Sequence, residues 1–125
     1  MKKLLNSHHP IRQALSFKYA FEGIFHALIN EPNFRVQLVI AAVSTFMGFY
    51  LKIHTMEWGL LVISLGFLIA AEMINTVVEE ILDHFFKERD PVVKIIKDLA
   101  AGFVLVISGI TLVILGLVFG PYLLA

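Results

Sequence analysis

Residues 71–83 read AEMINTVVEEILD and follow directly on residues 58–70, WGLLVISLGFLIA. The leading stretch is apolar enough to lie in lipid, yet the continuation carries Glu72, Asn75, Glu79, Glu80 and Asp83. A charged side chain at a bilayer centre costs about 2.5–3.5 kcal/mol on insertion scales. On a helical wheel with Glu72 at zero, Asn75 falls near 300°, Glu79 near 340° and Asp83 near 20°. The four share one face, with Thr76 close by and Glu80 set apart. Ionisable residues inside a membrane segment are functional candidates. Glu80 and Asp83 fit a helix end leaving the membrane, but Glu72 and Asn75 lie deeper and need another explanation.

The whole chain carries the same signature. Of its 125 residues 58% are hydrophobic and 16% charged, against about 45–50% and about 25% in soluble domains. Three long apolar runs, at 34–51, 56–83 and 98–124, are read as transmembrane helices. A stretch at 11–30 is too polar to span. Ile11, Leu15, Phe21, Ile24, Phe25 and Leu28 follow helical spacing there, which predicts an amphipathic helix at the membrane surface. Pro10 suits its start and Pro32 its end. The expected fold is therefore all-α, one membrane-embedded domain over 1–125.

Nine of the ten Lys and Arg residues fall before the first span, at its opening, or between the second and third. That asymmetry places the N-terminus and the second link in the cytoplasm. Net charge is zero, so there is no general pull toward nucleic acid. Cysteine is absent, which excludes disulfides and thiolate metal sites. The opening MKKLLNSHHPIRQAL lacks a signal-peptide core and is read as mature chain. His8 and His9 are read as solvated, His26 and His84 as interfacial. His54 and Glu57 belong to the outer link, and Trp58 to a membrane-interface anchor.

Several carboxylates on one stripe require a shared cation, protonation, or basic partners. Oxygen ligands without thiols point to Mg²⁺, which is usually held by one or two carboxylates together with substrate phosphates. Candidate partners are Glu31 and Arg35, in NEPNFR, where the surface helix turns into the first span, and Lys97 and Asp98, in KIIKDLAAG, at the depth of Glu79 and Asp83. Lys94 is read as snorkelling interfacial charge. Gly102, Gly109 and Gly116 recur every seven residues and predict a close helix seam that supports the site. Three functions fit such a stripe: a lipid kinase, a small ion or solute transporter, or a non-catalytic assembly subunit.

With NEPNFR, EMINTVVEEILD and KDLAAG in place, nearly the whole chain resembles the prokaryotic integral-membrane diacylglycerol kinase family. It looks closer to its undecaprenol kinase branch. The resemblance implies a homotrimer with composite sites, in which ATP phosphorylates the hydroxyl of a membrane lipid alcohol, undecaprenol or diacylglycerol. Carried over by motif, Glu72 is the catalytic base and Asn75 orients the site. Glu31 and Glu79 hold the metal. Lys97 and Asp98 contact nucleotide, as do Arg12, Tyr19 and Glu88. Members often have His in the second link where Asp90 stands here. The P-loop pattern G-x-x-x-x-G-K-[ST] is absent from this chain, as it is from the family.

Overall fold

A computed structural model describes residues 10–125. Lys2, Lys3, His8 and His9 lie outside the described residues. The described residues form four helices: α1 (Pro10–Asn30), α2 (Pro32–Leu51), α3 (Thr55–Phe85) and α4 (Pro91–Leu123). The last three are each long and apolar enough to cross a membrane. The chain is thus an all-α, multi-pass membrane protein.

Proline sets two of the helix starts. Pro32 and Pro91 each occupy a first helical position, where the missing N–H is no loss. Pro32 was expected to end the first helix, and in the structure it opens the second. Only Glu31 separates α1 from α2, in an extended conformation (φ −105°, ψ 106°). The proline ring that follows disfavours helical geometry at Glu31, so the chain turns a corner there. At the third span, α4 begins at Pro91, well before Asp98. Asp90 caps it, its Oδ1 accepting from the Val92 N–H at 2.7 Å.

α3 is the central helix, buried against α4 and α2. Among the buried or half-buried positions of α2, Phe34, Gln37, Ala41, Ser44 and Gly48 lie alternately three and four apart. That is the spacing of a packed helix seam. At the end of the bundle around the α2–α3 link, Ile53, Leu61, Leu65, Val118 and Phe119 form a cluster that joins α3 to α4. There Glu57 accepts from the His54 N–H and from the Tyr122 hydroxyl, tying the two helix ends together. The opposite faces of α2 and α4, with Val39, Phe46, Val106 and Val113, are exposed. Apolar exposure of that kind suits lipid.

The glycine seam of α4 does not serve the contact expected of it within this chain. A Cβ at Gly102, Gly109 or Gly116 would meet nothing within 4 Å. α4 packs on α3 through Thr111, Val118 and Phe119 instead. Gly48 is the glycine that a close approach requires. A Cβ there would lie 2.7 Å from the Trp58 ring, which also packs on Phe49 at a centroid distance of 4.7 Å. Trp58 is therefore half-buried packing as well as an interfacial residue. Gly48→Ala is expected to destabilise the bundle by about 1–3 kcal/mol through overpacking. Thermal unfolding in detergent measures this, and an unchanged midpoint would contradict it.

Candidate active site

Inside the spans, buried polar groups must find partners in the protein. The hydroxyls do so on their own helices. Ser64 donates to the Leu61 carbonyl, Thr76 to that of Glu72, and Thr111 to that of Ile107. The buried carboxylate and amides behave differently. Gln37 Nε2 donates to Glu72 Oε2 at 2.9 Å, and Asn75 Nδ2 donates to Glu79 Oε1 at 3.2 Å. Gln37 Oε1, Glu72 Oε1 and Asn75 Oδ1 remain buried without a partner. All three are acceptors, so together they present a surface fitted to a donor or a cation.

Glu72 is 2% exposed, on α3 facing the start of α2. The Asn33 side chain also reaches its carboxylate, and the charges of Glu31 and Glu79 act on it. The residues of the predicted stripe thus share a face. They run from buried Glu72 and Asn75, through half-buried Glu79, to exposed Asp83. The corner at Glu31 brings the α1–α2 junction to the same place.

α4 completes the charged cluster at this end of the bundle through Lys97. Its Nζ meets Asp83 Oδ1, and the Glu79 charge also acts on it. Asp98 does not join this cluster. One residue on, it points about 100° around the helix and pairs with Lys94 on an exposed face. Glu88, in the link after α3, lines a groove of about 660 Å³ shared with Asp83, Lys87, Arg89 and Lys97. Arg12 and Tyr19 lie on the exposed first half of α1, ahead of Ala27, where that helix is buried.

Below Glu72 a second groove of about 380 Å³ runs between α2, α3 and α4. Its walls are mainly Val36, Ile40, Leu68, Val104, Leu105 and Leu112. From Ala101 to Leu115 it follows α4 for roughly 21 Å at 1.5 Å per residue. Val36, Leu105 and Leu112 are exposed, so it opens on the lipid-facing side. It joins an apolar track to one buried carboxylate.

One partner, Gln37, escaped the sequence reading; a lone amide in an otherwise apolar span was the available signal. Arg35, named there as a candidate partner of the acidic stripe, takes a different role. Its guanidinium donates to the Leu28 and Ile29 carbonyls at 3.1 and 2.6 Å, capping the end of α1. His26 Nε2 also meets Glu80 Oε1 at 3.1 Å and ties α1 to α3.

A small helical membrane protein with a groove bordered by charges of both signs, a buried carboxylate and an apolar track fits the class of lipid kinases. The family model for prokaryotic diacylglycerol kinase matches residues 18–119, and the chain belongs to that family. Its relatives include the undecaprenol kinase of Bacillus subtilis, 32% identical over 108 residues, covering 86% of this chain and 88% of that one. The diacylglycerol kinase of Helicobacter pylori is 32% identical over 120 residues, covering 90% and 91%. That of Haemophilus influenzae is 31% identical over 108 residues, covering 86% and 88%. The protein is a membrane lipid kinase, and kinase membership implies ATP as phosphoryl donor. The transporter and assembly readings fall away.

Arg35→Ala removes the donor that caps two carbonyls of α1. It is expected to loosen the α1–α2 corner by about 1–2 kcal/mol. Faster amide hydrogen exchange near residues 28–31 would report this, and unchanged exchange would contradict it.

Proposed function

We propose that this kinase phosphorylates the hydroxyl of a long-chain membrane lipid alcohol, undecaprenol or diacylglycerol, at Glu72. The observation that carries the reading is the unpartnered Glu72 Oε1 at the head of an apolar groove. A lipid tail lies in that groove and its hydroxyl reaches Oε1. The hydroxyl oxygen bonds to the γ-phosphorus of ATP while Glu72 Oε1 takes its proton. The bond from the γ-phosphorus to the β–γ bridging oxygen breaks, and ADP leaves with that electron pair. Phosphoryl transfer depends mainly on positioning and on neutralising charge, and the site supplies both.

The nucleotide lies at the cytoplasmic end, over Lys97 and Glu88, with Arg12 and Tyr19 approaching from α1, whereas Asp98 turns to Lys94 and away from this groove. Asn75 orients the site by holding Glu79. The residues fit a magnesium ion. Glu79, Glu31 and the unpartnered Asn75 Oδ1 are hard oxygen donors. Among the described residues no trio of acidic or histidine side chains forms a closed metal cage. Mg²⁺ is usually held by one or two carboxylates plus substrate phosphates, and here Glu31 and Glu79 would hold it. The ion would neutralise the ATP phosphates.

The domain is the whole chain, 1–125, set in the cell membrane with its N-terminus cytoplasmic. The basic residues gathered on one side support that orientation. A homotrimer with composite sites is supported by the outward-facing glycine seam of α4 and by the motif resemblance.

Purified protein with γ-labelled ATP and a panel of lipid alcohols tests the reading. Label is expected in the lipid phosphate. Glu72→Gln is expected to lower turnover about 10²–10⁴-fold while the helices stay folded. Turnover at the wild-type rate would overturn it. Glu79→Gln is expected to raise the Mg²⁺ concentration needed for half-maximal rate, and an unchanged Mg²⁺ titration would remove its metal role.

A further inference from the structure

Gln37 occupies a packing position. It lies on the buried face of α2, between Phe34 and Ala41 at seam spacing, and is 7% exposed. An aliphatic side chain would satisfy packing there. The position instead holds an amide whose single partner is the Glu72 carboxylate, at 2.9 Å. The amide orientation is fixed by chemistry. Turned over, it would set its oxygen against a carboxylate oxygen in a buried site.

The consequence falls on Glu72. A glutamate's terminal torsion is broad and roughly two-fold, so its two oxygens are interchangeable unless something distinguishes them. The Gln37 bond distinguishes them, holding Oε2 and leaving Oε1 without a partner. We propose that Gln37 is the positioning residue of the reaction, fixing the Glu72 carboxylate so that Oε1 alone faces the lipid hydroxyl. This rests on the reading of Glu72 as the base. Gln37 lies outside the groove assigned to the nucleotide and borders the one assigned to the lipid, but its hydrogen bond goes to the Glu72 carboxylate, so its loss is expected chiefly in the chemical step.

Gln37→Met keeps the length and removes the donor. Gln37→His restores an N–H at similar reach. With labelled ATP and a lipid alcohol in mixed micelles, Gln37→Met is expected to lower kcat about tenfold or more. The KM values for ATP and for the lipid should stay within about twofold of wild type. Gln37→His should recover most of the lost kcat. The thermal midpoint of Gln37→Met is expected to fall modestly, because a buried carboxylate loses its donor, while the protein stays folded at the assay temperature. Gln37→Leu substitutes for the methionine variant if that one does not fold. Wild-type kcat in the donorless variant overturns the proposal, as does a loss confined to KM or one that histidine does not restore. The two readings separate cleanly. An active Glu72→Gln removes the base itself, whereas an inactive Glu72→Gln beside a fully active Gln37→Met removes only the positioning role.

Discussion

A carboxylate held among apolar helices is the constraint from which the rest follows. Glu72 can sit where it does because the protein supplies one donor, Gln37, and keeps Asn33, Glu31 and Glu79 near by. A single hydrogen bond from a neutral amide does not satisfy both carboxylate oxygens. The neighbouring unpartnered atoms are also acceptors, so the cluster gains most when a proton donor or cation arrives. That imbalance belongs to a working site. A purely structural polar network would be expected to close on itself.

The fold serves this cluster by bringing three short sequence motifs to one level. The extended residue before Pro32 puts Glu31 at a corner. The long α3 carries the acids from buried to exposed. α4, starting at Pro91, delivers Lys97 to Asp83. The exposed ion pairs add little stability by themselves; their effect is to gather charge of both signs where a nucleotide would lie. The apolar groove starts at Glu72 and continues along α4. Polar and lipid substrates can therefore meet at one carboxylate from opposite directions.

Periodicity within a single helix made much of this legible in the sequence. The three spans and the shared face of Glu72, Asn75, Glu79 and Asp83 follow from 3.6-residue geometry. The motifs pointed to the family. What stayed hidden depends on how one helix rotates against another. Nothing local tells that Gln37 faces Glu72, or that Lys97 joins the cluster while adjacent Asp98 turns to Lys94. Arg35 looked like a phosphate or carboxylate partner, yet the nearest need was the bare carbonyl end of α1. The glycine seam suggested contact inside the chain, and the structure turns it outward. Small residues announce close approach without naming the partner.

The central claim is that the lipid reaches Glu72 along the groove between α2 and α4. The chain contains no cysteine, so single thiols can be placed at will. Val104→Cys lies in the groove, whereas Val113→Cys is on α4 outside it. Alkylation of both by a membrane-soluble maleimide, with and without a long-chain lipid alcohol, tests the claim most directly. The account predicts that the alcohol slows labelling at position 104 and leaves 113 unchanged. Equal rates at 104 with and without the alcohol would contradict it.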